Sequence, residues 1–264
     1  MRPLAEMPES VRARINWVLT DIDDTLTDQG RLGATAYTAM ERLQQAGIIV
    51  VPVTGRPAGW CDHISRMWPV DGVIGENGAF FFRYLEAERK MLRVYARDPQ
   101  QRKIDRERLD LLGLKICNQI QGAAISADQA FREADLAVDF CEDVSPLPRC
   151  DVERIKRMFE EEGACAKISS IHVNGWFGAY DKLSMTRCFF SEALGIDLDS
   201  VTERIVFAGD SPNDAPMFAY FPNTVGVANV LDFIDRLDAH PAWVCSLRGG
   251  QGFAELAEAL LAAR

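Results

Sequence analysis

No stretch of this sequence reaches the ~18 consecutive apolar residues that a membrane-spanning helix needs, so a membrane partner is not expected. Positive charge is in short supply: 29 Lys and Arg face 39 Asp and Glu, for a net charge of -10. Duplex affinity comes mainly from neutralising phosphates with basic side chains, so nucleic acid is excluded as the expected partner. Histidine is scarce as well, and His63, His172 and His240 are too dispersed to form a metal triad by local spacing. The seven cysteines are odd in number, contain no C-x-x-C pair and match no zinc-ligand spacing, which argues for reduced thiols. The opening MRPLAEMPESVRARI lacks the apolar centre of a secretion signal. These absences point to a soluble, cytoplasmic protein. No internal repeat or low-complexity tract is present.

What is there is a chain of 264 residues, 48% hydrophobic, long enough for a large α/β domain with a second, smaller unit. Short apolar runs alternate with helical patterns. Trp17–Ile22, Ile48–Thr54, Gly72–Gly78, Arg204–Asp210, Asn223–Asn229 and Ala242–Ser246 read as strands. Ala34–Gly47 and Phe253–Ala263 read as helices. Nearly continuous apolar runs suit strands buried on both faces, and the alternation predicts a doubly wound, Rossmann-like parallel sheet. The middle of the chain differs. Strand-like Phe80–Tyr84, Met91–Ala96, Lys115–Ile120, Leu136–Cys141 and Ala166–Gly175 are mixed with helical Gln100–Leu112, Asp128–Ala134 and Asp151–Gly163. This pattern predicts an α+β insert over 83–179, with 1–82 and 180–264 forming the core.

Four clusters follow predicted core strands, where open parallel sheets bind ligands. In DIDDT, Asp21 ends a strand and Asp23 lies two residues on, able to face the same crevice. Adjacent carboxylates repel unless a proton or cation separates them, and a hard cation such as Mg²⁺ takes oxygen ligands. A carboxylate can also act as a nucleophile toward phosphorus. In VTGRP, Thr54 ends a strand, Gly55 lets a backbone N–H approach an anion, and Arg56 and Pro57 open a helix. Lys182 starts a helix, a position that opposes the helix dipole and asks for an anion nearby. In GDSPND, Asp210 ends a strand and Asp214 follows one helical turn later, with Asn213 available to cap or to donate. Each cluster alone also fits an ordinary acidic turn, capped helix or surface lysine.

Together, in this order and on this alternating pattern, the four clusters resemble the haloacid dehalogenase superfamily. The position of the insert, with GENGA (75–79) just before it, is similar to subfamily IIB, the Cof-like and sugar-phosphatase branch with a type-two cap. The resemblance implies a HAD-like core with a substrate-specificity cap, and a Mg²⁺-dependent phosphatase acting on a small phosphorylated metabolite, a sugar phosphate in the first instance. It implies Asp21 as nucleophile and metal ligand. Asp23 would be acid and then base, with its backbone carbonyl on the metal. Thr54, Gly55, Lys182 and Asn213 would bind phosphate, and Asp210 and Asp214 would complete the metal site. One departure from the family pattern is Asp24, where glycine is usual, which restricts the backbone at that turn.

Some assignments stay open at this level. Arg56 could contact phosphate or lie on the surface. Asn77, His172 and Trp176 could face substrate, although packing is the more common fate of a histidine or aromatic. Gln100–Asp110 reads as a solvated, charge-rich helix face. The WFGAYDK approach to Lys182 resembles sugar phosphomutases, so phosphotransfer to a second hydroxyl is one alternative function and a catalytically silent binding protein another. Monomer and homodimer are equally open.

Overall fold

The computed structural model describes residues 1–169 and 171–264. Its centre is a six-stranded parallel sheet in the order Arg2–Pro3, Trp243–Val244, Thr224–Gly226, Ile205–Gly209, Trp17–Thr20, Ile49–Pro52. The apolar runs dictate this arrangement, because each central strand is buried on both faces. Val18, Val50 and Val206 pack on one side, with Phe253 and Leu256 of the helix Gly249–Leu261. Trp17, Leu19, Val51 and Phe207 pack on the other, with Phe189 and Phe190 of the helix Lys182–Leu194. The order reverses between Trp17–Thr20 and Ile205–Gly209, so a crevice opens at the carboxyl ends of those two neighbours. Asp21 and Asp210 follow directly on them.

A three-stranded antiparallel sheet, Val73–Gly75, Phe80–Leu85 and Lys90–Tyr95, joins the core through a bridge from Val53 to Ile74. Residue 83 therefore falls inside a strand that continues this sheet. Beyond it, a four-stranded antiparallel sheet orders as Cys165–Ile168, His172–Trp176, Leu136–Asp139, Ala124–Ile125. Helices Pro99–Gln119 and Arg149–Glu161 cover one of its faces through Leu109, Ile116, Ile155, Phe159 and Val173. Gly175 permits this packing, since a Cβ there would lie 2.1 Å from the Phe159 ring.

Four local expectations change. Lys115–Ile120 is not a strand: it continues the helix Pro99–Gln119. The helix starts with Asp98 accepting the Gln101 N–H and Pro99 in its first turn. Leu109, Leu112 and Ile116 recur at helical spacing and are buried, and this periodicity outweighs the β-formers in KICNQI. The same helix is not wholly solvated along its charged run, for Asp105 is buried and pairs with Arg97 at 3.1 Å. Asp128–Ala134 forms only a single 3₁₀ turn, Gln129–Phe131. The strand expected over 166–175 is two, Cys165–Ile168 and His172–Trp176, paired antiparallel; Ser170, within that stretch, lies outside the described residues. Among the described residues no helix is long and apolar enough to cross a membrane. Among the described residues no cysteine forms a disulfide; Cys61 and Cys245 are buried, and Cys150 and Cys165 are exposed.

Candidate active site

The crevice holds three buried carboxylates. Asp21, Asp210 and Asp214 each present an oxygen, and these oxygens lie within 4.8 Å of one another. The neighbouring strands set the spacing: the Asp21 N–H donates to Ala208 O at 2.9 Å, which locks the end of one strand to the next. Thr25, the last residue of DIDDT, donates its hydroxyl to Asp210 Oδ1 at 3.0 Å. Asp214 turns back on its own loop and accepts the Asp210 N–H at 3.1 Å. Gly209 leaves the room for this, since a Cβ there would stand 2.5 Å from Asp214 Oδ2.

Lys182 answers the negative charge. It is the first residue of its helix, with Asp181 as the N-cap and Ser184 completing a capping box. Its Nζ donates to Asp21 Oδ1 and to Asp214 Oδ1, both at 2.8 Å. Burial works against the ammonium, but the two carboxylates outweigh it and push its pKa up. One cation against three anions leaves the cluster short of positive charge. Burial foremost, with Asp214 and Asp23 adding to it and Lys182 opposing it, raises the Asp21 pKa to about 7. Burial and the charges of Asp214 and Asp21 likewise push Asp210 up. A compact set of oxygen donors with unbalanced charge fits a hard divalent cation.

The turn Glu76–Gly78 places Lys182. Glu76, Asn77 and Gly78 are consecutive residues with φ of 42°, 55° and 103°, in the left-handed region. The run brings the turn against the start of the lysine helix, where a Cβ on Gly78 would lie 2.0 Å from the Asp181 carbonyl oxygen. Gly78→Ala is therefore expected to cost about 2–3 kcal/mol in urea denaturation, combining left-handed strain with displacement of the Asp181 backbone.

Arg56 is more committed than the sequence suggested. Its Nε reaches both Asp23 oxygens, at 3.1 and 3.0 Å, and its Nη2 reaches Oδ1 at 2.8 Å. The guanidinium also stacks on Trp60 at 4.5 Å and lies 3.6 Å from Glu142. Thr54 is fully buried and its hydroxyl accepts the Arg56 N–H at 3.1 Å. Asp24 has a φ of 57°, the left-handed conformation in which glycine costs least, so the departure from the family pattern coincides with a strained residue.

Above the carboxylates lies a small polar cavity of about 30 Å³. Asp21, Asp23, Gly55, Arg56, Asn77, Asp210, Ser211 and Asn213 line it from below. Arg132, Lys167, Ser169, Ile171, His172 and Asn174 line it from the four-stranded sheet and its loops. His172 thus faces the cavity rather than a core, while Trp176 does not border it. Trp176 is buried, stacks on Tyr180 at 5.9 Å and donates its indole N–H to Tyr180 O at 3.3 Å. Sequence reasoning missed Arg132, Lys167, Ser169 and Asn174. Strand periodicity could have found Asn174, two residues from His172 and on the same face; the run holding Arg132 carried no such signal.

His172 Nε2 lies 2.9 Å from Glu142 Oε2, without the alignment of a hydrogen bond. Burial, then the Arg132 charge, lowers its pKa to about 4, against an opposing pull from Asp128 and Asp139. A histidine depressed in the folded state favours folding above its unfolded pKa of about 6.5, and that contribution is lost as pH falls toward 4. Denaturation at pH 7 and pH 4.5 should show wild type losing on the order of 1–3 kcal/mol more than His172→Gln over that interval.

The fold and site define a class: a doubly wound parallel sheet with carboxylates and a lysine meeting at its switch point, under a segment inserted between the second and third clusters. Residues 18–105 match the model of the haloacid dehalogenase-like hydrolase family. A crystal structure from Thermoplasma acidophilum superposes with a TM-score of 0.71 at 19% identity, covering 94% of this chain and 98% of that one. Sucrose-phosphatase from Synechocystis sp. PCC6803 does so with a TM-score of 0.63 at 15% identity, covering 92% and 97%. A protein described as a HAD subclass IIB sugar phosphatase gives a TM-score of 0.61 at 14% identity, covering 94% and 98%. A phosphoglycolate phosphatase from Methanoculleus marisnigri is 37% identical over 68 residues, 25% of this chain, and the matched stretch spans 29% of that relative's length. Residues 18–105 thus resemble the haloacid dehalogenase-like hydrolases in sequence, and nearly the whole chain shares the fold of these structures.

Proposed function

We propose that the protein is a Mg²⁺-dependent phosphatase that hydrolyses a small phosphate monoester through an aspartyl-phosphate on Asp21. The observation that carries this reading is the meeting of Asp21, Asp210 and Asp214 around one lysine, with Asp23 beside them. Asp21, Asp210, Asp214 and the backbone carbonyl of Asp23 would hold Mg²⁺. When bound, Mg²⁺ supplies the positive charge that lets an anionic ester approach anionic Asp21.

An Asp21 oxygen attacks phosphorus in line, and the bond from phosphorus to the ester oxygen breaks. Asp23 gives its proton to the departing oxygen, then takes one from the water that attacks the aspartyl-phosphate. Inorganic phosphate leaves and Asp21 is restored. Both Asp23 oxygens are gripped by Arg56, so the fork opens before Asp23 can serve a leaving group. Lys182, Thr54, Gly55 and Asn213 are assigned to the phosphoryl oxygens. Residues 83–179 are assigned the role of cap, with Arg132, Lys167, His172 and Asn174 meeting the substrate. A cavity of about 30 Å³ holds roughly one water, so substrate entry requires the cap to lift.

A panel of phosphate monoesters, with sugar phosphates and phosphoglycolate included, is expected to yield Mg²⁺-dependent phosphate release that EDTA abolishes. Purified protein that releases no phosphate from any of them with Mg²⁺ present would overturn the reading.

A further inference from the structure

Beside the polar cavity lies a second and much larger one, of about 380 Å³. Its walls come from the turn and hairpin after Asp21, from the helix Ala58–Met67 and from the 3₁₀ turn Gln129–Phe131 of the insert. Ile22 and Ile64 are buried within it, Leu32 and Trp68 are half-buried, and Trp60 and Phe131 are 41% and 56% exposed. Gly59 lets Phe131 come close, since a Cβ there would lie 3.0 Å from the Phe131 Cβ. Exposed aromatic groups that converge on a concave apolar space of this size are the usual form of a small-molecule subsite.

Its position says what would occupy it. Asp23 borders both cavities, and Arg56, which grips Asp23, stacks on Trp60. In the mechanism above, Asp23 is the group that meets the leaving oxygen, so the alcohol part of the ester must extend past it. We propose that the apolar cavity is the leaving-group subsite, and that the preferred substrates are phosphate monoesters whose alcohol carries an aromatic or other bulky apolar group. This rests on the phosphatase reading and narrows its substrate class. Burial of an apolar group there is favourable in proportion to the area removed from water, whereas a compact sugar would leave Trp60 and Phe131 facing solvent.

The test uses the full chain with Mg²⁺ and two non-hydrolysable phosphonates, naphthylmethylphosphonate and methylphosphonate, titrated calorimetrically. The expected result is at least tenfold tighter binding of the naphthyl compound. Trp60→Ser and Phe131→Ser, at exposed positions that leave the core intact, should each shrink that preference severalfold. Equal affinities in wild type, or a preference untouched by both substitutions, would overturn the proposal. So would equal affinities together with a dimer that dissociates in Trp60→Ser, which would give the cavity to a second copy of the chain. Because binding needs no turnover, the two readings fail separately. Hydrolysis of small polar esters with no naphthyl preference counts against the subsite alone. A naphthyl preference without hydrolysis of any ester counts against phosphoryl transfer.

Discussion

Asp21→Asn is expected to lower phosphate release by about 10⁴-fold or more, the scale on which loss of a covalent nucleophile acts. Without added metal it should also leave the fold more stable, by on the order of 1 kcal/mol at neutral pH. Both effects have one origin. Asp21 is buried with two other carboxylates and a single lysine, and its pKa is raised to about 7. A carboxyl group raised in the folded state adds stability while it is protonated. That contribution is lost as pH climbs from about 4, its value in the unfolded chain, toward 7. The amide has no charge to bury, so the gap between variant and wild type should widen over this interval. Ligand binding to the folded state adds stability by mass action, so Mg²⁺ should raise the melting temperature of wild type more than that of the variant. Phosphate release assays and thermal melts at pH 5 and pH 8, with and without Mg²⁺, check all of this. A variant that keeps its activity, or a wild type unaffected by Mg²⁺, contradicts the assignment of Asp21.

Glu76→Ala should cost about 3–6 kcal/mol in urea denaturation, a large share of the 5–15 kcal/mol that holds a typical fold together. Glu76 is fully buried. One of its oxygens accepts the N–H groups of Ala58 and Glu133, each at 2.9 Å. The other accepts those of Ala134 and Asp135, at 2.6 and 3.0 Å. Alanine leaves all four donors without an acceptor, in a region where water is largely excluded. Beside them, Arg132 reaches Asp135 at 3.0 Å and the Gly55 carbonyl at 3.0 Å, and Asn174 donates to Asp135 at 2.9 Å. Glu76 therefore ties the start of the helix Ala58–Met67 to the segment that carries Arg132. Its pKa is raised to about 7, by burial first and by Asp135 second. Glu76→Gln retains one acceptor oxygen and should cost roughly half as much. Equal stability of wild type and Glu76→Ala would show that this network does not hold the insert in place.

The parallel sheet was legible from the chain alone because its strands are buried on both faces. Trp17–Thr20 and Ile205–Gly209 had to be continuous apolar runs wherever they lay in the sequence. Asp21, Asp210 and Lys182 could be read for a similar reason: a charged residue at the end of an apolar strand, or at the wrong end of a helix, conflicts with local physics and asks for a partner. The glycine-like conformation of Asp24 was signalled only by the family resemblance, whose pattern has glycine at that position. Other features depended on contacts between distant segments. Lys115–Ile120 was drawn into a helix by burial of Leu112 and Ile116. Trp176 and His172 share a strand and a face, yet one ends beneath Tyr180 and the other over the carboxylates. The fork of Arg56 on Asp23, the four N–H groups on Glu76 and the apolar cavity past Asp23 join residues up to 109 positions apart, Ile22 to Phe131. Strand burial and the cost of a stranded charge are properties of a few neighbouring residues, so the sequence carries them. Which face of an antiparallel sheet meets the crevice, and which carboxylate takes which cation, is decided only when distant segments compete for the same buried space.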